Sequence, residues 1–422
     1  MEKASSPSSR FVLIHSKLDY DLQRFIDASL RRGVSCVQAS DRCHVLEDPW
    51  GDGAIPIRFD RPAEAVDRIV AYARDHSLDA ILSLGDRGGV IAATVREALG
   101  LGGHSLDATE KSSDKYEFRR VLKALGLANP SFQILDLNAP WPDACPMDYP
   151  AVLKPRALSA SRGVIRVDDD ASFQRALKRI ASFLQEPELA AELGPLGHSI
   201  LVESYIPGGE WAIEAMMSEG RLYPLAIFQK PDPLEGPYFA ETIYSIDTDL
   251  GEEERREMLD LCQRAAIGVG LDEGPIHAEL RVGSEGAFLL EIAGRRIGGR
   301  CGRILETGLG ATLEDIILQH ALRGTIAVSE VRSPCGVMMI PVTKGGIFKG
   351  VRGVEAALGI QYVEHVDITA KVGQRLRPLP EGGSYMGFIF ARAPSTELVN
   401  AALRQAVARL DFQVNAEIPV LG

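Results

Sequence analysis

Apolar residues recur along this chain in two periods. Runs of four or five bounded by turn residues, such as Phe11 to Ile14 and Ala80 to Leu84, predict buried strands, while Leu22, Phe25, Ile26 and Leu30 recur at helical spacing with Gly33 as a stop. Asp60 and Pro62 open a second helix that puts Ala65, Val66, Ile69, Val70 and Ala73 on one face. The turn Gly85-Asp86-Arg87-Gly88-Gly89 then leads into a helix through Leu99. Alternating strand and helix predict a parallel sheet over 11–106, behind a Ser-rich tail over 1–10 that is expected to be disordered. The glycine turn lacks the G-x-G-x-x-G spacing of a dinucleotide site. It can still line a substrate pocket, because ligands of open sheets sit at the carboxyl ends of the strands.

The texture changes after Ser105. Asp114 caps a helix carrying Lys115, Phe118, Val121, Leu122 and Leu125. A strand, Ala151 to Leu153, delivers Lys154 before a small-residue loop, Ala157 to Gly163, that contains Ser159 and Ser161 and returns into a strand through Val167. A helix follows from Ala171 to Leu184. The segment HSILVESYIPGGEWAIEAMM reads strand, connector, strand, with Glu203 to Ile206 in the connector and Glu210 opening the second strand. AIFQKPDPLEGPYFAETIY is an irregular excursion holding Lys230 and Glu241, and loops of that length inside compact domains are usually functional. An acidic amphipathic helix, Glu252 to Val269, leads to GPIHAELRVGSEGAFLLEIAGRRIGGRCG, Gly274 to Gly302. A helix from Thr312 to Leu322 follows. From Ser333 the pattern gives strands at Gly336 to Ile340, Tyr362 to Ile368 and Tyr385 to Phe390 and a helix from Thr396 to Leu410, which predict a separate small α+β lobe.

The chemistry sits in these pieces. Two antiparallel strands joined at Ser284 to Ala287 would bring Glu279 and Glu291 side by side, a hard-cation site in outline that suits Mg²⁺ shared with phosphates. An ordinary hairpin with solvated acids is the alternative. Arg295, Arg296, Arg300 and Arg303 follow, interleaved with glycines, and such a segment can hold phosphate or the free carboxylate of an amino acid. Lys154 beside a Ser/Gly loop is a phosphate clamp, or else an exposed hairpin. Backbone groups of the Glu203 to Ile206 connector can meet an adenine edge, and the Glu210 carboxylate can accept both ribose hydroxyls.

Composition narrows the class. At 422 residues the chain is expected to form two to four compact units. A net charge of −12 argues against a broad nucleic-acid or anionic-membrane surface. Six cysteines without a C-x-x-C pair read as reduced thiols, no apolar run approaches the roughly 20 residues of a bilayer span, and the cytoplasm is the expected compartment.

In order along the chain, Lys115 on a D-K-x-x-x-R helix, Lys154 before its loop, the ESYIPGGE connector, and the Glu279 and Glu291 pair followed by Arg295 resemble the ATP-grasp superfamily. LLEIAGRRIGGRCGRIL and the excursion at Gln229 to Tyr244 are most similar to its carboxylate-amine ligases, the L-amino acid (dipeptide) ligases and carnosine-synthase-like enzymes. The resemblance implies a multidomain α/β and α+β fold: a Rossmann-like N-terminal domain at 11–106, a two-lobed ATP-grasp core with antiparallel sheets at 107–326 whose lid lobe covers about 140–205, and the α+β lobe at 327–422. It implies ATP and Mg²⁺, with Mn²⁺ as a substitute ion. Lys115, Lys154, Ser159, Ser161, Gly163 and, with weaker support, Lys230 would contact phosphates; Glu203, Tyr205 and Ile206 would frame adenine; Glu210 would hold ribose. Glu279 and Glu291 would hold metal, and Arg295, which would hold the transferring phosphoryl group or the substrate carboxylate, would serve catalysis with Lys154 and Glu291. Arg296, Arg300, Glu241 and His277 would face the substrates, a small-molecule carboxylate and an amine, both expected to be amino acids. Many ATP-grasp enzymes carry Asn two residues after the second Glu, where this chain has Ala293, which leaves the number of metal ions open. Readings kept alongside are a ligase with a thiol acceptor or bicarbonate donor, and a nucleotide-binding regulator without turnover. A homodimer is the expectation from general frequencies.

Overall fold

The computed structural model describes residues 9–16, 19–41, 53–326 and 328–416. The N-terminal unit alternates β1 (Arg10–His15), α1 (Leu22–Arg32), β2 (Ser35–Ser40), β3 (Ala54–Pro56), α2 (Pro62–Asp75), β4 (Ala80–Ser83) and α3 (Asp86–Leu99). Its strands are parallel and ordered β3-β2-β1-β4. Of the tail expected over 1–10, residues 1–8 lie outside the described residues, and Arg10 already pairs with Ser35 in β1. In α1 the apolar stripe is narrower than the spacing predicts. Phe25 and Ala28 are buried, but Leu30 is 72% exposed, beside a C-cap at which Gly33 takes φ 63° and its N–H meets the carbonyls of Leu30 and Ser29.

Two short helices, α4 (Leu106–Ser113) and α5 (Lys115–Ala124), lead into a small antiparallel lobe. Asp114 caps α5 by accepting from the Tyr116 N–H. The lobe comprises β5 (Phe132–Asp136), β6 (Ala151–Pro155), β7 (Ile165–Val167), α6 (Asp170–Leu184), α7 (Pro187–Leu193) and β8 (Ser199–Ser204), with sheet order β5-β8-β6-β7. Helix α6 starts from a capping box of Asp169 and Ser172 and turns Phe173, Leu177 and Ile180 onto the sheet. Each of those side chains is fully buried and contributes roughly 1.5–3 kcal/mol by leaving water.

The large sheet begins with β9 (Gly209–Ser218), β10 (Arg221–Lys230) and β11 (Ile243–Ile246). After the acidic helix α8 (Glu252–Val269) come β12 (Gly274–Gly283) and β13 (Gly286–Ala293), then α9 (Glu306–Leu309) and α10 (Leu313–Arg323), the latter capped by the Thr312 hydroxyl. The rest is β14 (Cys335–Pro341), β15 (Gly346–Arg352), α11 (Val354–Leu358), β16 (Val363–Ile368), β17 (Arg375–Leu376), β18 (Tyr385–Arg392), α12 (Thr396–Val407) and β19 (Asp411–Asn415).

The C-terminal residues gather a core around Phe348, Leu376, Ile389, Val399 and Leu403, and their strands also extend the core sheet. Strands β14, β18 and β16 continue the core sheet, whose order is β13-β12-β9-β10-β11-β14-β18-β16, because the short β11 offers β14 a free edge at Ile243↔Met338. Only β17-β15-β19 form a sheet of their own. One face of the large sheet shares a core with the N-terminal unit, through Phe11, Leu13 and Phe25 against Phe228 and Phe388; the other is covered by α8 and α5. Among the described residues no helix is long and apolar enough to cross a membrane.

Candidate active site

A cleft of about 1780 Å³ opens where the N-terminal unit, the small lobe and the large sheet meet. Its floor is the β12/β13 hairpin, in which Glu279 and Glu291 are cross-strand partners, with a register shift immediately after Glu279. Their side chains are 23% and 27% exposed, so both carboxylates are open to the cleft while their charge is met from the side. Glu291 lies 2.9 Å from Lys115 Nζ, and Glu279 lies 3.4 Å from Lys230 Nζ and 3.4 Å from His277 Nε2.

The roof is the small lobe. Lys154 is buried at the end of β6, and its ammonium is 2.5 Å from Glu203 of β8, which also accepts from Arg119 Nε at 2.6 Å. Burial alone would raise a carboxyl and lower an ammonium. At Glu203 the two cations outweigh it and hold the carboxyl at about 2, whereas at Lys154 desolvation prevails and the pKa is lowered. Arg119 is fully buried and also donates to the carbonyls of Leu289 and Leu290, tying α5 and the small lobe to the strand that carries Glu291. Glu203, expected to frame adenine, therefore has its side chain committed to Arg119 and Lys154. Tyr205 stacks beneath the Arg166 guanidinium, 4.4 Å from the ring centroid, and the Ile206 carbonyl accepts from Arg281 at 2.8 Å.

The loop after Lys154 bends through the left-handed region at Ala160, Ser161 and Gly163. A side chain at Gly163 would press its Cβ to 2.6 Å from Pro155 Cγ. The Gly163 N–H donates to the Pro380 carbonyl at 2.7 Å, and Lys115 Nζ to Leu158 O at 2.8 Å, so the loop lies down on both sides of the cleft.

Lys230 is the hub of a third cluster. Its ammonium meets Glu210 at 2.7 Å and Glu241 at 2.6 Å besides Glu279, and the three carboxylates offer oxygens within 4.8 Å of one another. Their attraction overrides desolvation and raises Lys230 well above its ordinary range. Glu210 is held further by Arg281 Nε at 3.0 Å, and Glu241 accepts from the hydroxyls of Tyr244 at 2.8 Å and Tyr385 at 3.2 Å. His277 bridges Glu279 and the fully buried Glu214, 3.2 Å from Nδ1. Burial works against its charged form, but the two carboxylates prevail and raise it to about 9.

The arginines divide. Arg295 lines the cleft and pairs with Asp86 at the start of α3. Arg296 turns inward, 4% exposed and 3.2 Å from Asp21, so its charge is matched inside the protein rather than offered freely to a substrate. Arg300 and Arg303 share Asp367 at 3.1 and 2.7 Å. The motif D-K-x-x-x-R already contained Arg119; Glu214 and Asp86 carried no signal stronger than an apolar strand and a glycine turn.

Two family models match the chain: an ATP-grasp domain over residues 147–304 and an L-amino acid ligase C-terminal domain 2 over residues 338–415. The chain carries an ATP-grasp domain. Alanine–anticapsin ligase of Bacillus subtilis is 26% identical over 238 residues, which cover 52% of this chain and 48% of that protein. Carnosine synthase 1 of Homo sapiens is 30% identical over 152 residues, 36% of this chain and 18% of the relative. The alignments thus span half or less of these two relatives. The crystal structure of an L-amino acid ligase from Bacillus licheniformis superimposes with a TM-score of 0.82 at 24% identity, covering 97% of this chain and 100% of that one, which shows a common fold. Within the ATP-grasp domain so defined lie Lys154, Glu203, Glu210, Lys230, Glu279, Glu291 and Arg295. Lys115, Arg119 and Asp86 lie before the matched span.

Proposed function

We propose that this protein is an ATP-dependent carboxylate–amine ligase, an L-amino acid ligase that joins two amino acids or similar substrates into an amide and releases ADP and phosphate. The observation that carries this reading is the pairing, on one cleft, of an ATP-grasp domain with an L-amino acid ligase C-terminal domain, whose Tyr385 reaches Glu241 in the site.

A carboxylate is a poor acyl donor because oxide is a poor leaving group. In the proposed reaction its oxygen attacks the γ-phosphorus of ATP, ADP departs, and an acyl phosphate forms. The amine nitrogen then attacks the acyl carbon, phosphate leaves, and the ammonium proton passes to a base. Lys115 and Lys154 would hold the phosphates as point charges under the loop at 157–163, and Glu210 the ribose. Arg295 would offset the negative charge that gathers as two anions approach. The loop's seat against Pro380 would exclude water from the acyl phosphate.

Glu279 and Glu291 fit a hard divalent cation: they are cross-strand partners with side chains partly open to the cleft, next to the lysines that would hold phosphate. Mg²⁺, or Mn²⁺ in its place, would supply Lewis-acid neutralisation of the phosphate oxygens there. Of the two substrate-facing groups that could take a proton, His277 has both ring nitrogens engaged, by Glu214 and by Glu279. Glu241, whose carboxyl is raised by burial, remains the proposed acceptor of the amine proton. The free thiols at Cys36, Cys145, Cys262, Cys301 and Cys335 support a reducing cytoplasm as the place of action.

The test is a pairwise substrate screen read by phosphate release, with mass spectrometry of the product. The reading predicts release that needs both a carboxylate and an amine and a product with a new amide. A response to a thiol alone, or to bicarbonate alone, would overturn it.

A further inference from the structure

Asp86 lies outside both matched domains, yet its carboxylate projects into the cleft from the carboxyl end of β4 and accepts from Arg295 Nε. The guanidinium has five N–H donors. Asp86 takes the Nε edge and the Arg296 carbonyl takes Nη1 at 2.9 Å, while Nη2 has no hydrogen-bond partner among the described residues. A planar fork pinned at two nitrogens can present only its remaining edge, in a fixed direction. Desolvation opposes the charged form of Asp86, but Arg295 overcomes it and lowers its pKa. Arg162, the residue before Gly163, packs its stem against Gly383 and adds a loop cation near Asp86.

We infer that Asp86 is a positioning residue that aims Arg295 at the reacting groups. The inference rests on the ligase reading for its kinetics but not for its geometry. Asp86 is 41% exposed at the rim and supports no core, so Asp86→Asn removes the charge and keeps the shape.

The experiment compares wild type, Asp86→Asn and Asp86→Glu in two measurements. In the first, Arg295 is modified with phenylglyoxal and followed by peptide mass spectrometry, with no substrate present. A guanidinium paired with a carboxylate reacts slowly, so Asp86→Asn should raise the rate at Arg295 by about threefold or more, against unchanged rates at exposed arginines. In the second, steady-state kinetics on the amino-acid pair should show kcat lowered at least about tenfold and KM for the carboxylate substrate raised, with KM for ATP changed by less than about twofold. Asp86→Glu should recover part of kcat. Unchanged modification and kinetics in Asp86→Asn would overturn the inference while leaving the ligase reading standing. So would a uniform loss of kcat with KM unmoved and no rescue by Glu, since that marks a merely structural role. If modification changes but wild type turns over no amino-acid pair, the ligase reading fails and the aiming of Arg295 by Asp86 survives.

Discussion

The ammonium of Lys154 lies 2.5 Å from the carboxylate of Glu203, across neighbouring antiparallel strands in which Val152 faces Glu203 and Lys154 faces Leu201. Arg119 closes the other side of Glu203, so removing the lysine leaves that carboxylate still paired. Lys154→Met should therefore unfold at nearly the wild-type temperature yet raise the ATP concentration needed for half-maximal rate by at least about tenfold, the loss of one charge-assisted phosphate contact. An unchanged ATP dependence in steady-state assays would count against the clamp.

The same triad sets an acid limit. The Glu203 carboxyl is held at about 2 in the folded protein against an ordinary 4.5, so the unfolded chain binds more protons through that window. Its stabilisation is complete above about 4.5 and fades as pH falls toward about 2, a component of about 3 kcal/mol. Urea unfolding at pH 7, 5 and 3 should show this fall in wild type. Glu203→Gln should start less stable, because Arg119 is left buried without its partner, and should lose less between pH 5 and 3. Parallel pH curves would contradict the assignment.

Much of this was legible beforehand, and the reasons differ by residue. The opposition of Glu279 and Glu291 follows from two apolar runs and one short turn, a local problem that sequence spacing settles. Helix α8 begins at its triple Glu and ends before Gly270, and α10 begins at Thr312, because caps are local too. Strands β5, β10, β11, β15, β17 and β19 escaped notice, and the run read as an irregular excursion starts in β10 and ends in β11. β5 reads half-exposed along its length and β17 has two residues, so neither carries an alternation to detect. The side-chain partners of Glu203, Arg296 and Arg295 come from Arg119, Asp21 and Asp86, more than 80 positions away in each case; such pairings depend on how sheets meet, which no local pattern encodes. The same holds for the seating of β14 on β11.

Glu291 offers the sharpest mutational contrast. Glu291→Gln keeps the size of the side chain and removes a charge that is 27% exposed, so far-UV circular dichroism and binding of a non-hydrolysable ATP analogue should stay close to wild type. Turnover should drop by at least about a hundredfold, the scale of one lost anchor for a Lewis-acidic cation. Near-normal turnover would rule out the role given to the hairpin.

The central claim is that a carboxylate is activated by taking the γ-phosphoryl group of ATP, and isotope transfer reads it directly. With the carboxylate substrate labelled with ¹⁸O in both oxygens, an amine acceptor and ATP, one labelled oxygen should leave with each phosphate and the other should remain in the amide. Unlabelled phosphate beside a labelled, unchanged carboxylate would contradict the account.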